Sequence, residues 1–181
     1  MAIKEITISM VDDGVYAKQA GQDDVNEVKA LTLETAKWLN RKGLDQWNGL
    51  LHGKDKHNIT GAIARGEVFT FRNVADNGLV GAVILQQSPS EWDKKLWGED
   101  DAHHSTAIYI HRLVTDRSLS NKGLGRKIMM WIENGIVYTG KNRIKLDCVS
   151  NNEKLNRFYL ECGYTYMGEA DGFNKYQKTL Y

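Results

Sequence analysis

The 181-residue sequence contains one proline, Pro89, and two cysteines, Cys148 and Cys162. Two cysteines with no C-x-x-C pairing do not make a disulfide framework, and they read as reduced, buried thiols. No long apolar run is present. The opening MAIKEITISMVDDG lacks the apolar core of a secretory signal, and no stretch reaches membrane-spanning length. A cytoplasmic protein with no membrane partner is expected. Charge of one sign is also missing: the formal net charge is +1, so no global basic field calls for nucleic acid. The five tryptophans, at 38, 47, 92, 97 and 131, are scattered, which suits core and pocket walls rather than a base-stacking ladder. Internal repeats and low-complexity tracts are absent.

What remains is an ordinary globular composition, 41% hydrophobic and 26% charged. It is long enough for one domain over residues 1–181. Short strands are expected in KEITISM and VYAKQA. In DDVNEVKALTLETAKWLN, Asp24 followed by Glu27 reads as a capping box, and Val28, Leu31, Thr35, Trp38 and Leu39 recur at helical spacing up to Gly43. HNITGAIAR predicts a shorter helix, and EVFTFR and GLVGAVILQQ predict two strands. Residues 88–105 read as a polar loop. AIYIHRLVT is a buried strand leading through SNKGLGRK into a helix with the stripe Leu124, Ile128, Trp131 and Ile132, closed by Gly140. RIKLDCV is a strand. NNEKLNRFYLECG is a helix carrying Leu155, Phe158, Tyr159 and Cys162 on one face and capped by Gly163. YTYMGEA and KYQKTLY are the final strands. The order βααββ–β–α–β–α–ββ describes an α/β (α+β) domain with helices covering a mixed sheet.

The stretch SNKGLGRK, residues 120–127, carries the chemistry. A Walker loop needs G-x-x-x-x-G-K-[ST], which this stretch does not supply. A dinucleotide fingerprint G-x-G-x-x-G fits Gly123 and Gly125, but Ile128 takes the third glycine position. Asp147, at the end of the following strand, stands near where such a fold places its ribose-binding acid. Too little chain follows it for the remaining parallel strands.

Strand, turn, helix and the next block taken together resemble the GNAT superfamily of N-acetyltransferases. That family's turn has the form [Q/R]-x-x-G-x-[G/A], and its later segment often reads N-x-x-A-x-x-F-Y-x-x-x-G-[F/Y]. Here the segment runs from Asn152 through Leu155, Phe158 and Tyr159 to Gly163 and Tyr164. The likeness covers about residues 107–170. It implies a single GNAT-like domain with a mixed, mostly antiparallel central sheet and helices on both faces. It also implies acetyl-CoA as cosubstrate and direct acetyl transfer to a primary amine on a small molecule or peptide; homodimers are common in the family. By the resemblance, Ser120, Asn121, Lys122, Gly123, Leu124, Gly125 and Arg126 cradle the coenzyme A diphosphate at a helix N-terminus, where unpaired N–H groups and a partial positive charge favour anions. Leu113, Val114 and Thr115 lend backbone to the pantetheine arm, Asn152 steadies it, and Tyr159 protonates the departing thiolate. Ser120 departs from the family's long polar residue, and Lys122, Arg126 and Lys127 are close enough to compensate.

His111 titrates near neutral pH and lies just upstream of the pantetheine segment, so it is the candidate general base, directly or through water. A hydrogen-bonded core histidine is the plainer reading of the same residue. Asp100, Asp101, His103 and His104 crowd one loop without a recognisable ligand spacing, so no metal is expected. Two rivals stand beside the transferase reading. One is an NAD-type oxidoreductase, on Asp147 and the two glycines. The other is an acyl-CoA-binding sensor that keeps the fold and transfers nothing.

Overall fold

The structure, a computed structural model, describes residues 4–98, 106–119 and 122–181. Its strands are β1 (Lys4–Ile6), β2 (Met10–Asp12), β3 (Val15–Gln19), β4 (Val68–Asn73), β5 (Leu79–Gln86), β6 (Ala107–Thr115), β7 (Ile136–Tyr138), β8 (Arg143–Val149), β9 (Thr165–Ala170) and β10 (Phe173–Thr179). Its helices are α1 (Val25–Arg41), α2 (Asn48–Leu51), α3 (Ile59–Ala64), α4 (Glu91–Trp97), α5 (Leu124–Asn134) and α6 (Glu153–Glu161). The architecture is a mixed α/β one, with a mostly antiparallel sheet flanked by helices. The chain divides into two compact units, Met1–Ile84 with Arg112–Val137, and Leu85–His111 with Tyr138–Tyr181.

In the first unit β2, β3, β4 and β5 pair in order, each antiparallel to the next. Helix α1 buries Val25, Val28, Thr32, Thr35, Ala36 and Leu39, a stripe at helical spacing. Val25 and Val28 join Ile59 and Ile63 of α3 and Val68, Ala82, Ile84 and Val114 of the strands in one cluster. Each large side chain buried there contributes roughly 2 kcal/mol. Helix α5 buries the expected Leu124, Ile128, Trp131 and Ile132, and Met129 as well. Trp131 packs edge-on against Phe71, ring centres 5.3 Å apart, and its indole N–H donates to the Ile8 carbonyl at 2.6 Å.

In the second unit β8, β10 and β9 are antiparallel neighbours, and β6 runs parallel to β8. The core holds Ile108, Tyr109, Ile144, Leu146, Tyr159, Tyr164 and Tyr176. A doubly wound dinucleotide fold would require a mainly parallel sheet, so the antiparallel pairs above remove its basis. Cys148 is buried as expected, but Cys162 is only partly so.

Three expectations are corrected, and one element was not expected. Asp24 and Glu27 do not form a capping box on α1. The Asp24 carboxylate accepts the Gly21 N–H at 2.8 Å and the Arg72 guanidinium at 2.7 Å, and Glu27 pairs with the same arginine. A buried guanidinium outbids a helix cap for both acids. The stretch 88–105 is not all loop, because α4 occupies Glu91–Trp97. The helix after the glycine turn stops at Asn134, capped by Gly135, and Ile136–Tyr138 continue as a strand. Helix α2 was not foreseen; it is a single turn, too short for periodicity to register.

Candidate active site

The glycine turn belongs to the first unit. Gly123 caps α5 with φ +71, a left-handed conformation that suits glycine. It offers no side chain to cap the helix, so the first-turn N–H groups of α5 are not taken by a cap residue. Leu124 is buried and anchors the turn, Gly125 is partly exposed, and Lys122 and Arg126 are exposed. Ser120 and Asn121 lie outside the described residues. Lys127 is held by Asp12, Nζ to Oδ2 2.7 Å. A recess of about 360 Å³ beside the turn is lined by residues including Asp12, Asp13, Lys122, Leu124 and Lys127. On β6, Val114 is buried while Leu113 and Thr115 are partly exposed. Gly81 of β5 lets that strand come close: a Cβ there would stand 3.0 Å from the Val114 carbonyl oxygen.

The second unit assembles an acid–base cluster that the sequence did not announce. The parallel ladder of β6 and β8 runs Ala107↔Arg143, Ile108↔Ile144 and Tyr109↔Lys145. His111 and Asp147 stand two residues beyond its last pair on their respective strands. Asp93 reaches His111 from α4, Oδ2 to Nε2 3.1 Å, and their side chains are 1% and 5% exposed. Asp93 is held in turn by a capping box. Its Oδ2 accepts from the Ser90 N–H at 2.8 Å and the Ser90 hydroxyl at 2.6 Å, and its own N–H meets Ser90 Oγ at 3.2 Å. The Trp92 indole N–H addresses both Asp147 carboxylate oxygens at 3.3 Å. Asp93, His111 and Asp147 each bring a ligand atom within 4.8 Å of the others.

The two acids of this cluster differ. Burial pushes Asp93 up, but His111 and Ser90 more than offset it, and its pKa ends below the ordinary carboxylate value. For Asp147, burial outweighs His111 and Trp92, neighbouring Asp93 adds to it, and the pKa rises to about 6. The trio could coordinate a divalent cation. In its present arrangement Asp93 Oδ2 meets His111 and Ser90, and both Asp147 oxygens accept from Trp92, which suits proton transfer. The acid–histidine loop considered as a metal site, with Asp100, Asp101, His103 and His104, lies outside the described residues.

Tyr159 lies in the same unit, 6% exposed on α6, with its ring near Phe158, Tyr164 and Tyr176 at 5.3, 6.3 and 5.9 Å. Burial, then Cys148 and Asp147, push its pKa well above the ordinary tyrosine value, so it keeps its proton at neutral pH. Asn152 is the N-cap of α6, its Oδ1 accepting from the Leu155 N–H at 3.1 Å. Asn156, not singled out from the sequence, anchors this helix. Its Oδ1 accepts from Tyr176 at 2.7 Å and Asn174 at 2.8 Å, and its amide donates to the Val149 and Asn152 carbonyls at 3.0 and 2.8 Å.

Sequence reasoning thus named His111 and Tyr159 but missed Asp93, and assigned Asp147 to another chemistry. The available signal was S-x-x-D at 90–93, a capping-box pattern obscured by Pro89 and the acidic surroundings.

A helix start with no side-chain cap lies in one unit, and a buried acid–histidine cluster with a neutral tyrosine lies in the other. The profile of the Acetyltransferase (GNAT) family matches residues 32–164, and the chain belongs to that family. It is an acetyl-CoA-dependent N-acetyltransferase. Over 181 residues it is 41% identical to the uncharacterized N-acetyltransferase YesJ of Bacillus subtilis (strain 168), covering 99% of this chain and 98% of that protein. The crystal structure of a GNAT-family acetyltransferase from Listeria monocytogenes is similar at 36% identity and a TM-score of 0.75, covering 92% and 95% of the two chains. The PaiA N-acetyltransferase of Thermoplasma acidophilum, solved with coenzyme A, shares the fold at 14% identity and a TM-score of 0.69, over 91% and 98% of the chains. Among the described residues no helix is long and apolar enough to cross a membrane.

Proposed function

We propose that residues 1–181 work as one catalytic domain. It moves acetyl from acetyl-CoA to a primary amine on a small molecule or peptide, by direct attack in a ternary complex. The family profile spans both units, and β5 and β6 run through both, which supports a single domain. The α5 N-terminus, from Lys122 and Gly123 to Arg126, takes the diphosphate with main-chain N–H groups, aided by Ser120 and Asn121. Leu113, Val114 and Thr115 pair with the pantetheine amides as a peptide adds to a strand. Asn152 steadies the arm while capping α6.

Chemistry needs a neutral amine and a protonated leaving group. His111, steadied by Asp93, is the final acceptor of the amine's proton. The amine nitrogen attacks the thioester carbonyl carbon, and the C–S bond then breaks. Tyr159, which holds its proton at neutral pH, delivers it to the sulfur. Of the three protons on the starting ammonium, one stays on the amide, one ends on the coenzyme A thiol and one leaves to solvent. The observation that carries this reading is the Asp93–His111 pair, buried and 3.1 Å apart, just past the end of the β6–β8 ladder. A cytoplasmic setting fits the two free thiols.

The test is acetyl-CoA with a panel of primary amines, reading free coenzyme A thiol. Release that depends on an amine, with its acetylated product, is expected. Acetyl-CoA binding without release for any amine would replace the transferase by a sensor.

A further inference from the structure

We propose that Asp147 is the residue that meets the acceptor: its carboxylate takes the amine up as an ammonium ion and removes its proton, with the His111–Asp93 pair behind it. This rests on the reading of the protein as an amine acetyltransferase.

The cluster is graded in exposure. Asp93 and His111 have side chains 1% and 5% exposed, so neither offers a face to a substrate. Asp147 is only partly buried and is the member an incoming amine can reach. Trp92 grips both of its oxygens at 3.3 Å, which fixes the plane of the carboxylate. Charge points the same way. Two carboxylates face one imidazole, so the cluster has an excess negative charge even with the imidazole protonated. Among the described residues the charges that act on Asp147 are those of His111 and Asp93. The Cys148 thiol is pushed up to about 12 by burial and Asp147, and Tyr159 stays neutral. Lys175, opposite Asp147 in the β8–β10 ladder, turns its ammonium to the Leu96 carbonyl at 3.1 Å and to the Trp97 ring. Lys145 lies over Trp97, 4.4 Å from the ring centre. One singly charged cation with N–H donors completes the group. Because burial raises its pKa to about 6, Asp147 is a stronger base than an ordinary carboxylate.

The step balances. The ammonium passes one proton to the Asp147 carboxylate and becomes a neutral amine, whose lone pair forms the new C–N bond. The proton moves on to His111, within 4.8 Å and so within reach of one bridging water, where Asp93 offsets the imidazolium charge.

The experiment begins without any acceptor. Methylammonium chloride is titrated into the whole protein with coenzyme A bound, and the His111 ring signals are followed by NMR. Tetramethylammonium chloride, at equal ionic strength, and magnesium chloride are run alongside. Shifts with methylammonium that disappear in Asp147→Asn are expected. Equal shifts from tetramethylammonium, no shift from methylammonium, or a response to magnesium alone would each overturn the proposal, the last in favour of a metal site. With an amine from the acceptor panel, Asp147→Asn is expected to lose roughly 100-fold in kcat at pH 7. That deficit should shrink toward pH 10, where the amine arrives neutral, while acetyl-CoA affinity is unchanged. Trp92→Phe should show a weaker form of the same profile. A deficit equal at every pH would mark Asp147 as structural and overturn the proposal. A panel that yields no acceptor would remove the transferase reading, and the methylammonium titration would still judge Asp147.

Discussion

In the first unit, Asp24, Arg72 and Glu27 bring two carboxylates to one buried cation; in the second, Asp93, His111 and Asp147 bring two carboxylates to one buried imidazole. The make-up is nearly the same and the electrostatic result is opposite. Arg72 is charged at every accessible pH and touches both acids. Burial raises the Asp24 pKa, but the Gly21 N–H, Lys18 and Arg72 more than reverse it, so the carboxylate is held below its ordinary value. Arg72 resists burial through Glu27 and Asp24. That cluster is settled as it stands. In the second, the imidazole satisfies Asp93 and leaves Asp147 raised to about 6. A permanent cation makes a clamp, whereas a titratable one leaves an acid poised for a proton or an ammonium.

The comparison is broken most severely at Arg72. Arg72→Met leaves buried Asp24 with Lys18 alone as counter-charge and should cost about 3–5 kcal/mol of stability, seen as a large loss in denaturant midpoint. Next comes Tyr159→Phe, which should lower kcat by about 100-fold, roughly 2.7 kcal/mol, with acetyl-CoA affinity retained. Unchanged turnover would remove Tyr159 from the chemistry. Asp93→Asn should destabilise by roughly 1–3 kcal/mol near neutral pH. The Asp93 pKa is lowered on folding, so its contribution is present above the unfolded value of 3.8 and is lost as pH falls through the folded value. Wild type and variant should therefore converge in stability as the pH falls below that lowered folded value. The smallest effect is expected at Gly81→Ala. Its new Cβ pushes on the Val114 carbonyl, and the KM for acetyl-CoA should rise a few-fold while kcat is kept.

Much of this was legible in the chain. AIYIHRLVT and RIKLDCV predicted β6 and β8 to the residue, because a mostly apolar run and an alternating apolar–polar one between turn residues admit few alternatives. The glycine turn and the N…FY…GY block pointed to the right family. The proton cluster was not legible. Asp93 lies 18 residues before His111 and Asp147 lies 36 after it, and no periodicity links a helix start to the ends of two strands. Asp24 shows the converse error, since a good local cap pattern lost to a guanidinium 48 residues away.

As the residue that meets the acceptor, Asp147 is kept at a cost in stability because function needs it. An acid whose pKa is raised from 3.8 to about 6 on folding penalises the native state by up to about 3 kcal/mol above pH 6. The penalty fades as pH falls from 6 toward 4. The decisive measurement is the stability of Asp147→Asn against wild type from pH 4 to pH 8, taken with turnover on the same preparations. A variant more stable than wild type at pH 8, level with it near pH 4, and deficient in transfer at pH 7 is expected. A variant less stable at pH 8, or one as active as wild type, would contradict that role of Asp147.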